Sequence, residues 1–384
     1  MIRRVTISHA FLPLPADPMK VAVDGGWQEG TPETIARWAA TAYYFARAIH
    51  DLNPDLPIGL VECCFSGSPI QSWIPMETRA EFPGLKEGEE VASRRDRLAA
   101  FGARQLEETQ AWARAANEGP KRSIGFGNPP HSVFGDGSMP SGMYDAMMKC
   151  LTATPVAGAI WYQGESNTGQ PDYAVKMQAM VAGWRKAWGF EPPFSYVQRP
   201  GLGPPSEDPG AHSEWAITRE QQRRGLALIP KSGMTAAIDL GEANDLHPKN
   251  NRDVGERLAR WAMRDVYGDT RIVVSGPLYK GMTVEGRSIS IAFDHVGNGL
   301  MVGRRDGRAP SVEVKNGTLG GFAIRGRDGT WAWAEAMIEG KTVVVSSTAV
   351  ADPVAVRYAY STNPVAANLY NKAGLPAPAF TTEE

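Results

Sequence analysis

Three short polar segments, each directly after an apolar run, carry side chains suited to acid–base or anion-stabilising chemistry. The first is Ser66-Gly67-Ser68-Pro69, which follows the apolar run 57–65. A glycine after a strand lets backbone N–H groups approach a ligand closely, as an oxyanion hole requires. An ordinary turn is the alternative interpretation of this segment alone.

The second segment is Gln163-Gly164-Glu165-Ser166-Asn167, which continues an apolar strand without a break. The amide of Gln163 or of Asn167 could donate a hydrogen bond to a developing oxyanion. The carboxylate of Glu165 could orient a base, or hold the loop by accepting backbone N–H groups.

The third segment, residues 239–248, contains one of only six histidines in the chain, His247, two residues after Asp245. Histidine is the usual general base, and a nearby carboxylate can fix its tautomer and stabilise the imidazolium. The alternative is a solvated loop histidine without a catalytic role.

The elements around these segments alternate between helical periodicity and short apolar runs. Helices are predicted at 31–52, 86–117, 142–151, 172–188, 213–228 and 250–267, and strands at 3–8, 57–65, 156–163, 194–199 and 234–240. This alternation indicates an α/β fold, a doubly wound parallel sheet with helices on both faces. Ligands bind beyond the carboxyl ends of such strands, where all three segments fall.

The pattern changes after Asp269 to short β-branched runs separated by turn residues, for example 271–275, 288–293, 343–347 and 354–358. Asn316-Gly317 predicts a two-residue hairpin. We therefore expect two domains, a parallel-sheet domain over 1–269 and an antiparallel β domain over 270–384.

Composition argues against several other classes of protein. The formal net charge of −2 over 384 residues gives no electrostatic reason to expect a nucleic-acid partner. No apolar run reaches the ~20 residues that span a bilayer, and residues 1–8 do not resemble a signal peptide. Cys63, Cys64 and Cys150 lack zinc spacing, so no metal or other cofactor is predicted, and Cys63 and Cys64 are expected to be buried structural thiols inside a strand.

Taken in order, the three segments resemble the sialate O-acetylesterase family of SGNH (GDSL-like) hydrolases. The resemblance runs from about Ile2 to the end of the chain, and its specific parts are Trp161-Tyr162-Gln163-Gly164-Glu165-Ser166-Asn167 and Asp245-Leu246-His247-Pro248. It implies an SGNH-like fold and hydrolysis of an acetyl ester on a sugar or glycan through a serine acyl-enzyme. Members are often secreted or periplasmic, and the compartment of this chain is not predicted.

The resemblance also implies roles for individual residues. His247 would be the general base, Gly67 would supply a backbone N–H to the oxyanion, and Gln163 or Asn167 would add a side-chain donor. Related enzymes usually carry aspartate three residues before the histidine, where this chain has Asn244. The third member of the triad is therefore Asp245, Glu165 or absent.

The family's Gly-Gln-Ser-Asn nucleophile motif occurs nowhere in the chain. The expectation is therefore a chain truncated before this motif, lacking the first strand of its esterase domain and inactive or impaired, because loss of the nucleophile typically costs on the order of 10⁶ in kcat. The alternatives are a non-catalytic carbohydrate-binding remnant, or hydrolysis by another nucleophile such as water activated by His247.

Overall fold

The structure is a computed structural model that describes residues 1–8, 23–82, 85, several positions between 102 and 114, and 140–383. Most of the charged helix predicted over 86–117 lies outside the described residues. The positions described between 102 and 114 are helical.

The first part of the chain forms two three-stranded sheets. Their strands are β1 (Ile2–Ile7), β2 (Val23–Glu29), β3 (Ile58–Glu62), β4 (Ala159–Trp161), β5 (Phe194–Gln198) and β6 (Ser232–Ala236). The strand orders are β2-β1-β3 and β4-β5-β6. All pairs are parallel except β1 with β2. Among the described residues, β3 and β4 each have a single hydrogen-bonded neighbour, so each has one free edge.

Helices cover both faces of these sheets. They are α1 (Pro32–Ile35), α2 (Ala40–Leu52), α3 (Met76–Arg79), α4 (Tyr173–Trp188), α5 (Glu214–Leu228) and α6 (Asn251–Asp265), with shorter helical turns at Ile70–Trp73, Tyr144–Met148, Lys149–Ala153 and Glu165–Asn167. α2 and α6 pack together over β3, and α4 and α5 pack on the opposite face over β5 and β6. The doubly wound α/β arrangement predicted from the sequence is confirmed.

The single helix predicted over 31–52 is interrupted. Thr31 caps α1 as expected, its hydroxyl accepting from the backbone N–H of Thr34, but α1 ends at Ile35 and α2 begins at Ala40. Arg4 donates to the carbonyl of Arg37, and Glu62 accepts from the backbone N–H of Ala39. These contacts from the sheet hold the intervening residues out of helical geometry, so tertiary structure overrides local propensity.

The rest of the chain is antiparallel β structure around its own apolar core. Its strands are β7 (Leu278–Glu285), β8 (Ser288–Asp294), β9 (Leu300–Arg304), β10 (Val312–Glu313), β11 (Phe322–Gly326), β12 (Trp331–Trp333), β13 (Glu335–Glu339), β14 (Thr342–Ser346), β15 (Pro353–Tyr358), β16 (Leu369–Asn371) and β17 (Phe380–Thr381). The C-terminal antiparallel β region is confirmed, but residues 271–275 form no strand.

The predicted Asn316-Gly317 hairpin is wrong. Asn316 does adopt the left-handed turn conformation, with φ of 57°. However, β10 pairs with β9 rather than with a strand after the turn. A turn sequence predicts the local backbone geometry. Which strands pair depends on the neighbours that the folded sheet makes available, and here that neighbour is β9.

The last residues of the chain return to the parallel sheet. The side chain of Gln198, at the end of β5, donates to the carbonyl of Ala379 (3.0 Å) and accepts from its backbone N–H (2.8 Å). The buried guanidinium of Arg219 on α5 donates to the carbonyls of Ser361 (2.6 Å) and Thr362 (3.0 Å). Buried hydrogen bonds therefore connect the α/β part to the β part of the molecule.

Candidate active site

Several hydrogen bonds join the segments that follow β3 and β4. Ser166 Oγ donates to the carbonyl of Gly67 (2.8 Å), and Gln163 Nε2 donates to the carbonyl of Ser68 (3.2 Å). Asn167 Oδ1 accepts from the backbone N–H of Ile70 (2.8 Å). The structure therefore brings together the first two segments that the sequence singled out.

The amide of Asn167 is completely buried and fully hydrogen-bonded. Its Nδ2 donates to the Oε1 atoms of Gln71 (2.8 Å) and Gln170 (2.9 Å). Gln163 Nε2 uses its second hydrogen on Asn167 Oδ1 (2.8 Å). In this conformation both amides hold the loops together, and the side-chain oxyanion donor expected from Gln163 or Asn167 stays a prediction that requires one of these bonds to break.

Gly67 presents its backbone to the exposed side of the loop. Its φ is 75°, in the left-handed region that favours glycine, and a Cβ at this position would meet nothing within 4 Å. Within the described residues its N–H donates to no acceptor, whereas its carbonyl is bound by Ser166. An oxyanion donor must be free of other acceptors, and the role of Gly67 as that donor stays a prediction.

Glu165 lies beside Arg199, the residue directly after β5. Arg199 is fully buried, its Nε is 3.7 Å from Glu165 Oε1, and its guanidinium stacks on the ring of Trp215 at 3.3 Å from the ring centroid. Its Nη1 donates to the carbonyl of Gly164 and to Thr168 Oγ1, both at 2.9 Å. Burial lowers the pKa of Arg199 to about 10, which leaves it cationic at neutral pH. Arg199 therefore supports the whole turn that carries Glu165.

Sequence reasoning did not identify Arg199 as a site residue. The available signal was its position at the carboxyl end of the strand predicted over 194–199, since the three polar segments also begin at the carboxyl ends of predicted strands. Arginines after strands are also common as exposed surface residues, so burial was the information that the sequence lacked.

His247 lies in the exposed loop after β6. Its backbone N–H donates to Asp245 Oδ1 (2.9 Å), so this carboxylate stabilises the turn that carries the histidine instead of binding its ring. Within the described part of the chain, the imidazole ring itself forms no hydrogen bond. The assignment of the third triad member to Asp245 or Glu165 stays a prediction.

The loop after β5 connects the histidine loop to the other two. Gly241 packs so closely on Gly201 that a Cβ would lie 2.3 Å from the Gly201 carbonyl oxygen, and the backbone N–H of Gly203 donates to the carbonyl of Ala243 (2.9 Å). Arg199, at the start of the same loop, bonds the turn after β4. All the predicted site residues thus lie in loops at the carboxyl ends of the parallel strands.

The serines of these loops are not held as nucleophiles. Ser68 is buried, donates to the carbonyl of Phe65 (2.7 Å) and accepts from Trp73 Nε1 (2.9 Å). Ser166 is bound to Gly67. Of the serines that the structure describes, none hydrogen bonds to His247.

The cysteines are free thiols. Because β3 ends at Glu62, Cys63 and Cys64 follow the strand, so the prediction that they lie inside a strand is wrong for both. The prediction of burial is wrong for Cys64, which is exposed. Burial raises the pKa of the Cys63 thiol, which keeps it protonated and unreactive at neutral pH.

Within the described ranges, no cluster of three or more histidine, cysteine, aspartate or glutamate residues is arranged to hold a metal ion. No helix of those ranges has both the length and the apolar character needed to cross a bilayer.

Comparisons with known proteins agree with this geometry. The family model described as carbohydrate esterase, sialic acid-specific acetylesterase matches residues 131–264. A sialate O-acetylesterase of Rattus norvegicus is 25% identical over 94% of this chain and 67% of its own length, and one of Homo sapiens is 26% identical over 67% of this chain and 46% of its own. The crystal structure of a carbohydrate acetylesterase from Xanthomonas citri superposes with a TM-score of 0.77 at 30% identity, covering 100% of this chain and 73% of that one. The chain therefore belongs to the sialate O-acetylesterase family of carbohydrate esterases.

Proposed function

We propose that this chain binds O-acetylated sugars and acts on their acetyl esters. The site is formed by the loops that follow the carboxyl ends of β3, β4 and β6. The observation that carries this proposal is the direct hydrogen bonding of the Gly67 loop to the Gln163–Asn167 loop. The exposed His247 lies in the loop after the carboxyl end of β6.

In this proposal His247 is the general base and the backbone N–H of Gly67 stabilises the oxyanion. Asp245 fixes the turn that presents His247, and Glu165 organises its loop together with Arg199. Gln163 and Asn167 keep the oxyanion side in place.

The nucleophile is the one part of the reaction for which these loops offer no prepared group. A serine that attacks an ester is held in hydrogen-bonding reach of its base, and neither Ser68 nor Ser166 has this arrangement. We therefore expect slow hydrolysis by the 384-residue chain, because loss of the nucleophile from a serine–histidine pair reduces kcat by on the order of 10⁶. A non-catalytic carbohydrate-binding protein is the second candidate, favoured by the same observation.

The deciding experiment measures acetate release from p-nitrophenyl acetate and from an O-acetylated sugar, together with equilibrium binding of that sugar. The variants are His247→Ala and, as a control, His50→Ala. His50 lies in the last turn of α2, which leads into the amino end of β3 and not into the loops of the site. We expect sugar binding and slow acetate release that falls further only in His247→Ala. Binding without acetate release would establish the non-catalytic alternative, and release unaffected by His247→Ala would refute the assignment of the base.

A further inference from the structure

A cavity of about 260 Å³ lies between the loop after β5 and the C-terminal β structure. Pro205 and Pro209 line it from the loop, and Trp333, Arg357 and Tyr360 line it from the β structure. Its volume is slightly below the roughly 300–1,000 Å³ of pockets for drug-sized ligands, which suits a compact ligand of about one sugar ring.

The indole of Trp333 is an exposed but oriented wall of this cavity. Its exposed fraction is 48%, unusually large for tryptophan, and its Nε1 donates to the carbonyl of Glu207 (2.9 Å). That hydrogen bond fixes the ring against the loop after β5 while leaving part of its surface accessible. A fixed aromatic surface with an apolar face is suited to stack on the C–H face of a sugar.

Arg357 contributes a guanidinium group to the wall of the cavity. Its guanidinium lies between the rings of Trp331 and Tyr360, at 4.1 Å and 4.5 Å from their centroids. Glu383 Oε2 accepts from its Nε (3.0 Å) and pairs with its Nη2 (2.8 Å). Glu383 also pairs with Arg325 (3.4 Å), so one carboxylate is shared by two arginines. The guanidinium of Arg357, with five N–H donors, can also bond the hydroxyl groups of a ligand.

The cavity is one loop away from the candidate active site. Asn363 in its wall donates from Nδ2 to the carbonyl of Gly203 (2.6 Å), and the backbone N–H of Gly203 donates to Ala243 in the histidine loop (2.9 Å). A ligand in the cavity would therefore contact the same loop that supports the loop carrying His247.

We propose that this cavity is a subsite for a sugar ring of the glycan that carries the acetyl ester, with Trp333 as its stacking surface. The choice of a sugar as ligand rests on the proposed function. The subsite makes the preferred substrate an oligosaccharide rather than an isolated acetylated monosaccharide.

The test measures binding without hydrolysis, by isothermal titration calorimetry with two unacetylated probes, xylohexaose and 3′-sialyllactose. We expect at least one probe to bind the full chain, and its affinity to fall about tenfold in Trp333→Ala. Trp333→Phe keeps an aromatic face and should retain most of the affinity. Thermal unfolding of each variant verifies that it is folded.

The matched control is Trp27→Ala, which removes another exposed tryptophan (56% exposed) on β2, away from the cavity. Its affinity for the probe should equal that of the unmodified chain. Failure of both probes to bind, or equal binding by Trp333→Ala, would overturn the subsite. Neither result depends on acetate release. The subsite proposal can therefore be refuted while the esterase proposal stands, and the esterase proposal can be refuted while the subsite stands.

Discussion

Asn167 makes four hydrogen bonds through a side chain fully shielded from solvent, and each bond reaches a different residue. Two of its partners, Ile70 and Gln71, belong to the segment after β3, and the others belong to its own loop. One amide therefore sets the distance between the candidate oxyanion donor and the loop of Glu165.

Replacing Asn167 with alanine should lower the free energy of unfolding by about 2–4 kcal/mol, because a buried group without its partner costs about 1–3 kcal/mol. Urea denaturation measures this change. Ser166→Ala is the graded control, since it removes one hydrogen bond from an exposed side chain and should cost about 0.5–1.5 kcal/mol at most. Equal losses in the two variants would contradict the central role of Asn167.

An individual site residue could be predicted where the adjacent sequence showed a clear pattern. The three loops were predictable because polar side chains directly followed apolar strands, and that pattern survives in the structure. The partner of Asp245 was not, because a carboxylate two residues before His247 can reach either its ring or its backbone N–H, and the turn formed here selects the backbone.

At the scale of elements, the close packing of α2 against α6 depends on Gly255. A Cβ on this residue would lie 2.6 Å from the backbone nitrogen of Phe45 and 2.8 Å from the carbonyl oxygen of Thr41. Backbone atoms cannot rotate away as a flexible side chain can. The two helices must therefore move apart to accommodate any larger residue.

Gly255→Ala should destabilise the protein by about 1–3 kcal/mol through overpacking, although alanine has the higher helix propensity. The change in melting temperature by calorimetry measures it. Gly281→Ala in β7, where a Cβ meets nothing within 4 Å, should leave the melting temperature nearly unchanged. A stabilised Gly255→Ala variant would show that propensity outweighs the helix contact.

Element types were more predictable from the sequence than element ends. α4, α5 and α6 begin within a residue or so of their predicted starts, because Ser213 and Asn250 are recognisable helix caps. The interruption before α2 was not predictable, since Arg4 and Glu62, which hold it open, are distant from it in the sequence.

For the whole molecule, the buried ion pair of Asp239 and Arg257 lies where the parallel sheet meets the β structure. Both carboxylate oxygens are 2.6 Å from guanidinium nitrogens, and Tyr370 on β16 donates to the same carboxylate (3.2 Å). Burial alone would raise the pKa of Asp239, but pairing with Arg257 outweighs it and brings the pKa below its ordinary value.

Asp239→Asn should therefore cost about 3–5 kcal/mol at pH 7, because it leaves the buried Arg257 charge unpaired. A carboxylate with a lowered folded-state pKa stabilises above its unfolded pKa of about 3.9 and loses that contribution as the pH falls through the folded value. The difference between the variant and the unmodified chain should accordingly shrink below about pH 4. Denaturant titrations at both pH values measure it.

The control for this prediction is Asp51→Asn, which breaks the exposed pair with Arg47 on α2 and should cost about 0.5 kcal/mol or less. A loss in Asp239→Asn that is equally small at pH 7 would contradict a stabilising role for the buried pair.

The hydrogen bonds between Gln198 and Ala379 join residues 181 positions apart. During synthesis the chain emerges from its N-terminus at about 5–20 residues per second, so β5 leaves the ribosome long before its partner exists. The nascent parallel sheet waits roughly 10–40 seconds with only the bond from Gln198 to the carbonyl of Arg219 available to that amide, and its two bonds to Ala379 unmade. The loop after β5, which contacts the histidine loop, therefore reaches its final form only after Ala379 has been translated.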